Sequence, residues 1–466
     1  MDRLIAHKVG PIGFPDTRSL LALLFLSVNA FAFDEAAKDE AALPTLDDKV
    51  DRLPKQEGYF TFFPDEASGN VWLQIDKWEK DFLYANGLSS GLGSNPVGLD
   101  RGQWGNSRVV HFKRVGKRAY LIEQNLRYRA VTSDVSEREA VNDSFADSVI
   151  WAGDIVARTG DQCLVNVNSL LISDAHGVTN RLKSNNQGDY SLAKDRSFIS
   201  FDRCRGFPRN TELEATVTFS SPKPGGLVSQ TAADGGVFSL RLHHSLIKLP
   251  DSGYRVRRAD PRVGAFRVTF ADYAAPLDAP LTQHLITRHR LEKTDPSKEK
   301  SPPIEPIIYY LDPGTPQPVR DALLEGARWW AAAFEDAGFV DAFQVRMLPD
   351  DADPMDVRYN VIQWVHRSTR GWSYGQSIID PRTGEIIKGH VLLGSLRVRQ
   401  DRLIVDGLTS AQPSNEPGLC RCCGIAGAGT DDALAQLDPG IDPIDVSLAR
   451  LRQLSAHEVG HTLGFA

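Results

Sequence analysis

The chain has 466 residues, enough for two or three domains, and its 41% hydrophobic and 24% charged residues are ordinary for a soluble globular protein. A formal net charge of −7, from 53 basic and 60 acidic residues, argues against nucleic acid or an anionic membrane as a partner. It selects no substrate.

Residues 1–32 have the three parts of a secretory signal peptide. Arg3, Lys8 and Arg18 precede an apolar run over 20–28, and Ala30-Phe31-Ala32 supplies a small-residue exit. The run is shorter than the about 20 residues needed to span a bilayer. The protein is therefore expected to be exported, to the periplasm or beyond. Residues 33–57 are charged and low in aromatics and read as a flexible leader.

From 58 to 290 the texture is of strands and turns. The stretches 58–63, 109–112, 119–122, 213–219 and 236–242 are short and β-prone, and several alternate apolar with polar residues. This predicts one β-rich domain or two small ones. Cys163 and Cys204 fall inside it and have the makings of a disulfide. Cys420, Cys422 and Cys423 form a cluster suited to a structural or disulfide role, and the odd total leaves one thiol over. Residues 291–306, rich in charge, Ser and Pro, read as a linker.

The remaining stretch, 307–466, changes to α/β. A strand at 307–311 is followed by a helix from Pro318 to about Ala337, with Gly338 at its exit. Strands follow at 343–347 and 359–365. A hairpin, 374–379 and 385–393, then turns at Asp380-Pro381-Arg382-Thr383-Gly384. Asp442-Pro443 caps a last helix reaching about Leu463. The fold class is thus α+β, a β-rich N-terminal region followed by an α/β domain.

That last helix carries His457-Glu458-Val459-Gly460-His461-Thr462-Leu463-Gly464. Four residues are 400° of helix, so His457 and His461 lie about 40° apart on one face and about 6 Å apart along the axis. Two imidazoles so placed suit one zinc ion with room left for water. Glu458, about 100° round from His457, is positioned to address that water as general base and acid. Other histidines read as ordinary surface or core residues: His243 and His244 alternate on a strand, and His284 and His289 are five apart. His390 lies on the stretch 389–393, a candidate for an edge strand that pairs with extended substrate, with a plain interior strand as the competing reading. Trp329 and Trp330 read as helix packing against the sheet, and Asp351, Asp353 and Asp356 as an acidic loop, with calcium the lesser alternative.

The helix sequence resembles the metzincin pattern His-Glu-x-x-His-x-x-Gly-x-x-His up to, but not including, its last His. More narrowly, the chain is similar to the large secreted bacterial zinc-dependent metalloproteases with an uncharacterised β-rich N-terminal region. Asp260-Pro261-Arg262-Val263-Gly264 with nearby Tyr273, and the stretch Ser377 to Glu385, share in that similarity. The resemblance implies that 307–466 is the upper part of a metzincin-like zincin domain with endopeptidase chemistry on proteins or peptides. It implies zinc ligation by His457 and His461, and general base and acid chemistry by Glu458. By that pattern the third ligand falls at 467 and a Met-containing turn beyond it, so a fragment of a longer reading frame is expected, inactive if it ended at Ala466. The alternative function is a non-catalytic secreted binding protein whose β-rich region does the work beside a vestigial zinc domain.

Overall fold

Strand alternation drives the first half of the fold. In Asn70–Ile75, Val71, Leu73 and Ile75 point inward and their neighbours outward, the period-2 pattern of a sheet with one buried face. The computed structural model describes residues 43–368, 371–409 and 442–466. The predicted signal peptide and the Cys420, Cys422 and Cys423 cluster lie outside the described residues.

Among the described residues twelve strands form the largest sheet. Its path runs Phe62–Asp65, Asn70–Ile75, Gln162–Asn166, Ser148–Thr159, Arg118–Glu123, Arg108–Val115, Phe82–Leu88, Val237–Ile247, Asn210–Ser220 and Phe198–Ile199, each antiparallel to the next. The sheet curls until it nearly closes. Thr211 Oγ1, near one end of the path, donates to the Phe60 carbonyl (2.7 Å) and accepts from the Phe60 N–H (2.9 Å) beside the other. Inside, Phe60, Phe82 and Phe112 are fully buried with ring centroids 5.0–5.5 Å apart. Each such ring contributes about 1.5–3 kcal/mol of burial. A smaller sheet, Arg267–Asp272 with Thr282–Ile286 and Tyr128–Arg129, packs beyond it.

Three expectations need correction here. The stretch 33–57 is not flexible throughout: Leu46–Val50 is a helix with a Thr45–Asp48 capping box. It buries Leu46 and Val50 against Phe63, Ala157 and Leu164, apolar contacts that a scan for charge overlooks. Cys163 and Cys204 form no disulfide; both are buried free thiols, Cys163 on the strand Gln162–Asn166 and Cys204 in the turn before Arg205, against the Glu214 and Ser200 carbonyls. The stretch 291–306 is tied down, with the buried Ser301 exchanging backbone hydrogen bonds with Gly338 and Val340 (both 3.1 Å).

The second half is a five-stranded sheet in the order Phe343–Met347, Ile307–Leu311, Asn360–Val365, Ile386–Gly394, Tyr374–Ile379. The first four strands are parallel and the last, at the edge, is antiparallel. The helices Val319–Arg328 and Pro443–Leu463 pack over it, sharing a core of Leu323, Ala327, Leu451, Val459 and Leu463 with Tyr309, Ile362 and Val391. Their backbones meet at Gly326, where a Cβ would lie 2.0 Å from the Arg452 carbonyl. The single helix predicted over 318–337 is broken at Trp329 into Val319–Arg328 and Trp330–Asp336. The halves join through a mixed cluster: Leu83, Val109 and Ile247 of the barrel with Ile378 of the second sheet and Val357 of the loop before Asn360–Val365.

Candidate metal centre and its cleft

The helix Pro443–Leu463 is fixed at both ends by local chemistry. The Asp442 carboxylate accepts the Ile444 N–H (2.8 Å) and Pro443 fills the first turn. Gly464 ends the helix at φ +108°, a conformation that excludes most side chains, and a Cβ there would lie 2.0 Å from the Thr287 carbonyl.

His457 and His461 meet as their spacing requires. Their Nε2 atoms are 3.1 Å apart, with the rings inclined at 76°. With Zn–N bonds of about 2.0–2.1 Å, that separation closes an N–Zn–N angle of roughly 100°, close to tetrahedral. His461 Nδ1 donates to the Phe465 carbonyl (2.9 Å), which leaves Nε2 with a lone pair for a metal. His457 is exposed, so the pair opens to solvent. The two residues fit a tetrahedral ion as half of its donors. Among the described residues no group of three or more His, Cys, Asp or Glu side chains gathers in one place.

Glu458 lies under the edge strand, 4% exposed. Burial raises its carboxyl above the ordinary carboxylate range, while the nearby His461 and a hydrogen bond from the Gly375 amide pull the other way. Gly375 permits this approach, since a Cβ there would sit 2.5 Å from the Glu458 carbonyl and 3.1 Å from His461 Cβ. Gly375→Ala is expected to push strand and helix apart at a cost of about 1–3 kcal/mol, read from urea unfolding. An unchanged midpoint would show that the strand does not rest on the helix there.

The predicted substrate strand is displaced by one position. The stretch 389–393 is interior, flanked by Asn360–Val365 and Tyr374–Ile379, so it cannot offer a free edge. The free edge is Tyr374–Ile379. Turn chemistry marks the hairpin, but both arms are apolar and β-prone, so nothing local marks which of them continues the sheet.

The other singled-out residues have structural partners. His244 is buried between the Tyr84 hydroxyl (2.7 Å) and the Leu171 carbonyl (3.2 Å), and burial pushes it down to about 4. His243 is buried against the Trp104 ring, and His390 bonds Gln363 Oε1 (3.1 Å). His284 bonds the Thr269 hydroxyl. Asp356 pairs with Arg358 (2.6 Å) and Asp353 accepts the Met355 N–H, without a shared cation-binding cluster. Trp329 is exposed. Trp330 packs on the helix Pro443–Leu463 instead of the sheet, with Nε1 donating to the Ala456 carbonyl (2.8 Å) and its ring against Gly460.

Two features beneath and beside the site were not anticipated. His289 Nε2 and the Tyr309 hydroxyl both reach the carbonyl of Thr462 (3.2 Å each), and Tyr309 also donates to Thr462 Oγ1 (2.8 Å). These buried groups steady the residue that follows His461. The 260–264 stretch leads to Phe266, whose N–H donates to the Gly464 carbonyl (2.8 Å) and whose ring lies 5.7 Å from His461. Residues so distant in sequence give no local signal. The second shared stretch serves as a clamp: Asp380 is buried and held by Arg382, while Arg129 donates to the Pro381 and Arg382 carbonyls.

Residues 102–294 match the model of a domain of unknown function (DUF5117). This region takes in most of the barrel and the smaller sheet, and ends before the five-stranded sheet. No curated protein and no solved structure matches the chain. Among the described residues no helix is long and apolar enough to cross a membrane.

Proposed function

We propose that this chain is an exported, metzincin-like zinc endopeptidase acting on proteins or peptides. The observation that carries the reading is the His457–His461 pair, two Nε2 atoms 3.1 Å apart on a solvent-open helix face with a buried carboxyl between them in sequence. The antiparallel edge strand crossing that helix beside Glu458 supports it, as does the export signal read in residues 1–32.

In this mechanism His457 and His461 would hold the ion through Nε2, with the Phe465 carbonyl fixing the His461 tautomer. Zinc held there would supply Lewis acidity towards a peptide carbonyl and water. Glu458 takes a proton at its carboxylate and returns it to the leaving amine, a task helped by burial, which raises its carboxyl. The edge strand offers backbone groups to an extended substrate. The competing reading is a binding protein whose β-rich region does the work beside a vestigial zinc helix.

Cobalt titration separates the two. The protein is expected to take up one Co2+ with visible d–d bands, and His457→Ala to lose them. Bands that persist in His457→Ala would remove that residue from the ligand set, and no uptake by the unaltered protein would favour the binding-protein reading.

A further inference from the structure

The free edge of Tyr374–Ile379 faces a groove of about 710 Å³ whose opposite wall belongs to the β-rich region. Ser377 and Ile379 line the strand side, and Arg108, Arg127, Val268 and Thr269 the other. The Gly375 amide is directed at Glu458 and therefore away from the neighbouring strand. In an antiparallel ladder alternate residues face the same way, so the Ser377 backbone also faces outward, into the groove. Ser377 Oγ donates to the Thr462 carbonyl (3.4 Å), which anchors the inner end of the groove one residue from His461.

Charge on the far wall is one-sided. Three guanidiniums, Arg108, Arg127 and Arg129, line the groove against one carboxylate, Glu123. Arg108 lies 3.5 Å from Glu123, and Arg129 is held by the carbonyls of Leu126 (2.7 Å), Pro381 (2.5 Å) and Arg382 (3.0 Å). Arg127 is exposed and makes no ion pair among the described residues.

We infer that the β-rich region forms the second wall of the peptide-binding cleft, and that Arg127 selects an acidic side chain in an extended peptide paired to the edge strand. The inference rests on the peptidase reading for its ligand class. An extended chain covers the four steps from Gly375 to Ile379 in about 13 Å, so the selected side chain lies two to four residues from the bond beside Glu458. An independent binding module does not require this arrangement, because its barrel and the edge strand would act apart.

The test is fluorescence anisotropy on the whole protein with a labelled octapeptide carrying one Glu, walked along the sequence, against the same set with Gln. At low salt the best-placed Glu peptide is expected to bind about fivefold tighter than its Gln counterpart. Arg127→Ala should abolish the preference, Arg127→Lys should retain part of it, and Arg127→Glu should reverse it. Equal affinities for the two sets, no binding of either, or a preference that survives Arg127→Glu would overturn the inference. Cobalt uptake measured on the same samples keeps the two readings apart: a Glu preference without metal leaves the groove standing and removes the peptidase, and metal without the preference does the reverse.

Discussion

Glu458→Gln is expected to leave metal uptake intact and to lower peptide hydrolysis by about 10²–10⁴-fold in protein that holds its metal. The amide has the shape of the carboxylate and can keep a contact with the Gly375 N–H, so the helix and edge strand should stay in place. What it lacks is a basic oxygen to accept a proton. In the proposed mechanism the working form of Glu458 is the carboxylate, and burial raises its pKa. As pH falls through that raised value the base is protonated and turnover is lost, so the acid limb of the pH–rate profile should lie above the ordinary carboxylate range. Two measurements check this: the rate of the Gln variant at matched cobalt or zinc content, and the position of the acid limb in the unaltered protein. Undiminished turnover in the metal-loaded Gln variant would take the proton-transfer role away from Glu458.

The parts of this site that were legible in the sequence are those fixed by short-range geometry. His457 and His461 had to share a face because both lie on one helix, and Asp442, Pro443 and Gly464 announced where that helix begins and ends. The hairpin around Asp380–Gly384 was readable from turn chemistry for the same reason. What could not be read was whatever depended on sheet order. Ile386–Gly394 and Tyr374–Ile379 are both apolar and β-prone, and only the parallel pairing of the first with Asn360–Val365 makes it interior. The His289, Tyr309 and Thr462 contacts join residues 153 or more positions apart, and the groove joins Arg127 to Ser377; no periodicity reports such distances. The helix Leu46–Val50 escaped for another reason. Two buried apolar residues in a charged stretch suffice when the barrel wall offers them a surface.

Lys388→Ala is expected to destabilise the fold by about 3–5 kcal/mol, the largest loss of stability among the substitutions considered. Lys388 belongs to the Ile386–Gly394 strand and is completely buried where the two halves meet. Its ammonium donates to the carbonyls of Pro354 and Asp356, and it faces Glu212 on the barrel strand Asn210–Ser220. Removing it strips two buried carbonyls of their donor and leaves a void. Lys388→Met fills most of that void and should recover part of the loss, which separates packing from hydrogen bonding. Glu212 adds a pH dependence with a definite sign. Burial raises its carboxyl to about 8 from an ordinary 4.5, with Ser245 and Asn210 bonding it. Between those values the folded protein holds a proton that the unfolded chain has released, so this contribution is complete below 4.5 and is lost as pH rises towards 8. Burial lowers Lys388 to about 8 from 10.5, so its contribution runs the other way, recovering stability as pH rises from 8 towards 10.5. Together the two place a minimum near pH 8. Urea midpoints measured from pH 5 to 10 should therefore dip, and Glu212→Gln should remove the acid arm while leaving the alkaline one. A Gln variant that kept the acid arm would mean that the proton sits elsewhere, and the Arg129 contacts with the Pro381 and Arg382 carbonyls would remain as polar ties across the junction.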